Sequence, residues 1–304
     1  MYSNRKHHRR SYRRLTWLFA IFLLLGSVQL PPVAAYDTPK EPTPIKFLRK
    51  NTIFASPGDS PMTVVAYGPD GRVYAGTTLG MIYALTLDAA RNVTAVEEID
   101  AIYNTPNFNE DGTPMPNLEG RLLLGLTFDP QSTAAQPIMY ASHSDPRHVY
   151  NSQDPSTHID VNSGMITRLT GPNFDAPSSR VDVLTGLPRS RKNHGINGVN
   201  FGHDGWLYIA TGGHTDTGTA DPTWGSLPEF YLSAAILRAD VRSMTSSLDV
   251  RHVTSATQIN PLQDRFQIFA TGFRNAYDLV WHSDGSLYVN ENGANVYQGT
   301  TPGP

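Results

Sequence analysis

The chain has 304 residues, a formal net charge of −3 and no cysteine. A chain without cysteine has no disulfides, no thiol catalysis and no thiolate metal ligands. No extended basic segment remains beyond the first 35 residues, so we expect no nucleic-acid partner.

The N-terminal segment has the order of residues found in a secretory signal peptide. A basic head ends at Arg14, an apolar run extends from Leu15 to Leu25, and small residues follow at Ala34 and Ala35. An uncleaved membrane anchor is the alternative, but the run has about half of the ~20 residues that a spanning helix needs. We therefore predict a signal peptide over residues 1–35 and a linker over 36–45. The mature chain would then be secreted, periplasmic or extracellular, without stable insertion in a membrane.

From residue 46 to residue 304, short β-branched and aromatic runs alternate with clusters of Gly, Asp, Asn and Pro. One pattern recurs, in which an Asp-Gly turn follows an apolar strand and leads into an aliphatic–aromatic pair. Its copies are Gly68–Tyr74, Gly202–Tyr208, His282–Tyr288 and a degenerate one from Phe128 to Tyr140. Asp-Gly supplies the positive φ angles of a tight turn, so each copy predicts a β-hairpin.

A second pattern, a small-residue turn before an apolar strand, follows three of these hairpins at Gly80–Leu85, Gly164–Leu169 and Ala234–Ala239. The repeating unit therefore has about four strands. Radial repetition of such units hides sheet edges, which predicts an all-β fold of the β-propeller type. A β-sandwich with coincidental hairpins is the alternative. About four units are present, and since an open ring leaves two blade faces uncovered, we expect a truncated form of a longer propeller.

Two loops that precede predicted strands carry chemically interesting residues. In the first, His194 follows Arg189, Arg191 and Lys192, and it could act as a general base while the cations attract an anion. A solvated basic loop with a hydrogen-bonded histidine is the alternative. In the second, Arg274 is suited to carboxylate or quinone oxygens.

Two further candidates have simple structural alternatives. The Asn275 that follows Arg274 could anchor neighbouring backbone together with it instead of binding a ligand. The oxygen-rich turn from Asn290 to Asn295 is typical of Ca²⁺ sites, but such residues also stabilise turns by local hydrogen bonds.

The order of these motifs resembles the glucose/sorbosone dehydrogenase family. The matching segments, from about residue 50 to the end of the chain, are Leu122–Pro130, Asn193-His194 with the hairpin at 202–208, Ala235–Arg238, Gly272–Asn275 with the hairpin at 284–288, and Glu291–Gly293. The resemblance implies a six-bladed propeller, with about four blades in this chain. It also implies a soluble aldose dehydrogenase that uses pyrroloquinoline quinone (PQQ) and passes electrons to an external acceptor.

The resemblance further implies roles for particular residues. His194 matches the residue that takes the proton from the anomeric hydroxyl, and Arg274 matches the one that polarises the quinone carbonyl. Asn275 would hold the cofactor, and Lys192 would attract it because PQQ is a tricarboxylate. Asn193 would contact the sugar. The reaction would oxidise the sugar to its lactone.

The same resemblance places Ca²⁺ at the backbone of Gly293 and Ala294. The sequence departs from the family pattern at Asn193, Gly120 and Gln298, where the family has acidic or amide residues. The departures at Asn193 and Gly120 favour the alternative of a non-catalytic extracellular propeller that binds carbohydrate or protein. A calcium-dependent lactone hydrolase is a weaker alternative, because its site needs more carboxylate and asparagine ligands than we find.

Overall fold

A computed structural model of the chain describes residues 54–55, 60–147, 159–220 and 222–294. The predicted signal peptide and linker therefore lie outside the described residues, as does Gln298. All the described residues belong to one compact unit, Thr52–Pro304. Their regular secondary structure is mostly strand, with one short α-helix, α1, at Ala256–Ile259, and 3-10 turns at Pro177–Ser179, Pro222–Trp224 and Asn260–Leu262. Within these ranges no helix has the length and hydropathy that a membrane crossing requires.

The first sheet, blade 1, is a four-stranded antiparallel meander in the order β1-β2-β3-β4. Its strands are β1 (Met62–Tyr67), β2 (Val73–Thr77), β3 (Ile82–Leu87) and β4 (Val93–Ile99). Blade 2 repeats this order with β5 (Leu122–Phe128), β6 (Ile138–Ser144), β7 (Gly164–Thr170) and β8 (Arg180–Leu187).

Blade 3 has the same meander order, but its fourth strand arrives after an excursion. Its strands are β9 (Ile196–Phe201), β10 (Leu207–Thr211), β11 (Ala235–Ala239) and β13 (Phe266–Thr271). Within the excursion, β12 (Leu248–Asp249) pairs in parallel with β8 of blade 2. Blade 4 is a hairpin of β14 (Ala276–Trp281) and β15 (Leu287–Glu291). The predictions of an all-β chain and of about four propeller-type blades are confirmed.

The Asp-Gly turns have the conformation that the sequence requires. Gly71, Gly205 and Gly285 have φ angles of +81°, +83° and +88°, in the left-handed region where a residue with a Cβ is strained. In the turn of blade 3, the carboxylate of Asp204 accepts a hydrogen bond from the backbone N–H of Trp206 at 3.1 Å. These turns join the two innermost strands of blades 1, 3 and 4, and we call this side of the molecule the turn end.

Neighbouring blades pack face to face through aromatic residues. In each of blades 1 to 3, a tyrosine on the second strand meets the aromatic residue that ends the innermost strand of the next blade. The pairs are Tyr74–Phe128, Tyr140–Phe201 and Tyr208–Trp281, with ring centroids 4.8, 5.3 and 5.0 Å apart. The loops before β5, β9 and β14, together with the β10–β11 connection, lie at the side opposite the turns, which we call the loop end.

Candidate functional site

His194 is buried at the loop end, just before β9, with 2% of its surface exposed. Its Nδ1 lies 2.9 Å from the carbonyl oxygen of Gly213. A carbonyl only accepts, so Nδ1 carries the hydrogen and Nε2 keeps its lone pair. Burial, followed by the charge of Arg274, lowers the pKa of His194 from 6.5 to about 3. The imidazole is therefore neutral, and Nε2 is the atom that can accept a proton.

Trp224, which the sequence analysis did not single out, lies at the centre of this site. It ends the short 3-10 turn Pro222–Trp224 in the β10–β11 connection and is 1% exposed. The centroids of its ring and the His194 ring are 4.5 Å apart, while Lys192 Nζ and Arg274 Cζ lie 4.9 and 5.4 Å from its ring centre. The structure thus brings three of the predicted site residues together around one indole.

The guanidinium of Arg274 is held by the carboxylate of Asp216, which also belongs to the β10–β11 connection. The Nε and Nη2 atoms of Arg274 lie 2.7 and 2.5 Å from Oδ1 of Asp216. The two side chains are 11% and 0% exposed, respectively. A charge pair at this depth fixes the position of the guanidinium, because neither group has ready access to water.

Asn275 anchors blade 4 to blade 3. Its Oδ1 accepts a hydrogen bond of 2.8 Å from Nδ2 of Asn197 on β9, and its N–H donates to Oε1 of Glu291 at 3.2 Å. The same Glu291 oxygen accepts from the N–H of Arg274 at 2.6 Å. Glu291 thus fixes the backbone of this residue pair, while the Asn275 side chain bonds another side chain.

Arg189 is not part of a solvated basic loop. It is 0% exposed and donates to the carbonyl oxygens of Asp145, Arg147, Ser190 and His194. Burial lowers its pKa to about 10. The guanidinium therefore braces the loop that carries His194 and is not offered to a ligand, which corrects the alternative considered from the sequence.

A second buried histidine, His214, lies in the β10–β11 connection, which also carries Asp216 and Trp224. It is 0% exposed, its ring stacks on Phe230 with centroids 4.0 Å apart, and burial lowers its pKa to about 4. Its backbone N–H donates to Glu229 at 2.8 Å. Burial alone would raise the pKa of Glu229, but hydrogen bonds led by those from Ser233 and Thr215 lower it overall.

The remaining predicted site residues are at the surface. Asn193, Gly293 and Ala294 are all exposed. Among the described residues, no three His, Cys, Asp or Glu side chains lie close enough to hold a metal ion. The calcium site at Gly293 and Ala294 would depend on backbone carbonyls and stays a prediction.

Gly120, one of the departures from the family pattern, occupies a position that requires glycine. Its φ is +81°, and a Cβ there would lie 2.7 Å from the carbonyl oxygen of Leu79. The adjacent Glu119 accepts a hydrogen bond of 2.6 Å from the hydroxyl of Tyr103. The backbone therefore gives a physical reason why no larger residue stands at position 120.

The buried histidines should make the protein sensitive to acid. Burial also holds the pKa of a third histidine, His143 on β6, well below 6.5. Unfolding returns His143, His194 and His214 to an ordinary pKa near 6.5, so below that pH the unfolded chain binds protons that the folded chain does not. The free energy of unfolding should then fall between pH 6.5 and about 4, by at most about 1.4 kcal/mol per pH unit for each histidine. Urea unfolding at several pH values measures this slope.

In His214→Gln, the free energy of unfolding should fall less steeply with decreasing pH, because one buried histidine no longer contributes. The matched variant His203→Gln removes an exposed histidine at the turn end and should leave the slope unchanged. A slope that is the same in both variants would contradict the role given to His214.

No protein-family model matches the sequence, and a search among curated proteins finds no relative. Several solved structures are similar to the chain. The PQQ domain of a pyranose dehydrogenase from Coprinopsis cinerea is 16% identical with a TM-score of 0.44, over 78% of this chain and 45% of that one. A family AA12 carbohydrate-active enzyme from Trichoderma reesei is 15% identical with a TM-score of 0.45, over 79% and 47%.

A putative oxidoreductase from Thermus thermophilus, described as a glucose dehydrogenase, is 20% identical with a TM-score of 0.39, over 74% of this chain and 55% of that one. The chain thus spans about half the length of the solved structures it matches. Two of these proteins, the PQQ domain of the pyranose dehydrogenase and the putative glucose dehydrogenase, have names of the class that the order of motifs resembles.

Proposed function

We propose that this chain belongs to a quinone-dependent dehydrogenase and carries part of its active site at the loop end. The enzyme would oxidise an aldose at its anomeric carbon to the lactone. The observation that carries the proposal is the convergence of Lys192, His194 and Arg274 on Trp224 at the loop end. A neutral base, two cations and an aromatic face are the groups that a planar anionic quinone and a sugar hydroxyl require.

His194 is the proposed base. Because Nδ1 donates to the carbonyl of Gly213, the Nε2 lone pair is the group that would take the anomeric proton. A pKa of about 3 makes it a weak base while Trp224 packs against it. Movement of the indole would admit water or substrate to the imidazole and bring its pKa nearer the working pH.

The donor set fits PQQ, whose carboxylates and quinone oxygens favour cationic partners. Arg274 and Lys192 would hold it, with Asp216 fixing the direction of the Arg274 guanidinium. When bound, the quinone supplies the acceptor for the hydride of the sugar. The proposal also includes calcium bound at the carbonyls of Gly293 and Ala294. The side chain of Asn275 would contact the cofactor, and Asn193 would contact the sugar. The enzyme would work outside the cell and pass its electrons to an external acceptor.

An open cleft of about 690 Å³ lies beside Arg274 and has room for a small sugar. Its lining combines aromatic, hydroxyl and carboxylate groups, and includes Thr215, Glu229, Tyr231, Phe273 and Arg274. Such a mixture of apolar faces and a few directed polar groups is typical of ligand clefts. We therefore place the proposed approach of the substrate along this cleft.

The proposal is tested by titrating the full chain with PQQ, with and without Ca²⁺, and recording its tryptophan fluorescence and the quinone absorbance. Dye reduction is then followed with a panel of aldoses. We expect saturable quenching through Trp224. We also expect His194→Asn to keep cofactor binding and lose about 100-fold or more of turnover.

The matched control is His203→Asn, which changes an exposed histidine at the turn end and should alter neither signal. Unchanged fluorescence and absorbance at every PQQ concentration would overturn the quinone-dependent function. Equal turnover in His194→Asn and His203→Asn would remove His194 from the reaction.

The burial of His194 against Trp224 also supports a second candidate, a non-catalytic propeller that binds carbohydrate at the same cleft. In that case sugar binding is measurable by calorimetry without PQQ, and His194→Asn leaves the affinity intact. Turnover that depends on PQQ and on His194 would exclude this second candidate.

A further inference from the structure

The β10–β11 connection begins with a short buried segment, residues 212–216, that contacts both His194 and Arg274; we call it the bridging segment. The carbonyl oxygen of Gly213 accepts the hydrogen bond of His194 Nδ1 at 2.9 Å, and the N–H of Gly213 donates to the carbonyl oxygen of Arg274 at 2.8 Å. Further along, Asp216 accepts from the Arg274 guanidinium at 2.7 Å. One segment therefore holds the proposed base and the proposed cation at the same time.

Glu229, which lies later in the same connection, binds the bridging segment through both of its carboxylate oxygens. Its Oε2 accepts from the N–H of His214 at 2.8 Å, and its Oε1 accepts from the N–H and the hydroxyl of Thr215 at 2.8 and 2.5 Å. The hydroxyl of Ser233, just before β11, donates to Oε2 at 2.6 Å. Hydrogen bonds to a carboxylate are shorter and stronger than those between neutral groups. The carboxylate therefore ties the bridging segment to the start of β11.

The contact between Glu229 and the bridging segment is close. A Cβ on Gly213 would lie 2.8 Å from Oε1 of Glu229 and 3.1 Å from the carbonyl oxygen of Arg274. The carboxylate thus packs against the residue that bonds both His194 and Arg274.

Glu229 also lines the cleft beside Arg274, where a carboxylate could bind a sugar hydroxyl. Each of its oxygens, however, already accepts two hydrogen bonds from the protein. A carboxylate has about four such acceptor positions. The geometry therefore favours a role in placing other groups over a role in binding sugar.

We propose that Glu229 is a positioning residue, whose carboxylate fixes the bridging segment and thereby the relative position of His194 and Arg274. This inference deepens the proposed function, and its kinetic test rests on that function. The hydrogen bond of His194 is observable without any cofactor, so it tests the positioning role separately.

The first test is Glu229→Gln, which keeps the shape of the side chain but replaces one acceptor oxygen by an NH2 group. In ¹H–¹⁵N NMR spectra of the full chain without PQQ, the proton on His194 Nδ1 should exchange with water about tenfold faster, because the bridging segment opens more readily. Thr215→Val removes only the hydroxyl donor and should give a smaller change in the same direction. Thr215→Ser keeps the hydroxyl and should resemble the unmodified chain.

The matched control is Asp129→Asn, in the β5–β6 connection. Asp129 is 5% exposed and accepts hydrogen bonds from the guanidinium of Arg242 and the N–H of Gln131. Its loss should lower stability and leave the His194 proton unchanged. An unchanged His194 proton in folded Glu229→Gln, or an equal change in Asp129→Asn, would overturn the proposal.

The second test is kinetic and uses the full chain with saturating PQQ. Glu229→Gln should lower turnover by about tenfold or more and change the KM for the sugar less, because a misplaced base and cation disturb the reacting geometry. A raised KM with unchanged turnover would make Glu229 a sugar contact and overturn the proposal. Absence of turnover in the unmodified chain would overturn the proposed function, whereas the NMR comparison decides the positioning role independently.

Discussion

Asp216→Asn is expected to lower the free energy of unfolding by about 3–5 kcal/mol. The asparagine has nearly the same volume but no charge, so it leaves the Arg274 guanidinium buried beside a neutral group. The cost comes from that uncompensated charge and not from a cavity. Urea unfolding followed by circular dichroism measures it directly.

Two further variants determine whether charge is the cause. Removing both charges in Asp216→Asn/Arg274→Gln should recover most of the lost stability, because neither buried charge then remains. Asp204→Asn disrupts the more exposed pair with Arg238 at the turn end and should cost less than about 1 kcal/mol. A loss in Asp216→Asn no larger than in Asp204→Asn would show that Asp216 does not compensate Arg274.

Trp224→Ala is expected to cost about 3–5 kcal/mol and to raise the pKa of His194 toward its ordinary value. The indole is 1% exposed, and removing it opens a cavity beside an imidazole that is now shielded from water. Hydration stabilises the charged imidazolium, so the pKa should move upward from about 3. The NMR titration of the His194 ring, together with urea unfolding, measures both effects.

Trp206→Ala is the matched control for this prediction. Trp206 lies in blade 3 near the turn end and contacts Arg238, with 4.9 Å between the guanidinium carbon and the ring centre. It is only partly buried, so its loss should cost less stability and leave the His194 titration unchanged. An unaltered His194 pKa in Trp224→Ala would show that the indole does not shield the imidazole.

The hairpins were predictable because their determinants are local. The Asp-Gly turns fix φ and register within a few residues, and β2, β10 and β15 begin at the aliphatic–aromatic pairs that follow these turns in the sequence. The same local reasoning found the loops that precede β9 and β14. It could therefore name His194 and Arg274 as candidates before any contact between them was known.

Trp224 and Asp216 could not be predicted in the same way. Both lie in the long β10–β11 connection, which has no periodic pattern, and their importance comes from contacts with residues of two other loops. Arg189 shows the opposite difficulty. A basic loop in sequence is ordinarily solvated, and nothing local reveals that several backbone carbonyls converge to accept the hydrogen bonds of a buried guanidinium.

The aromatic pairs between blades also make the fold a one-dimensional array, in which each blade is stabilised by its immediate neighbours. In such an array, local stability depends on how many neighbours a unit has. Blades 2 and 3 each have two among the described sheets, while blade 4 has one. Arg274 and Asn275 lie directly before β14, the first strand of blade 4. Their positions in the site therefore depend on how stably this hairpin packs against blade 3.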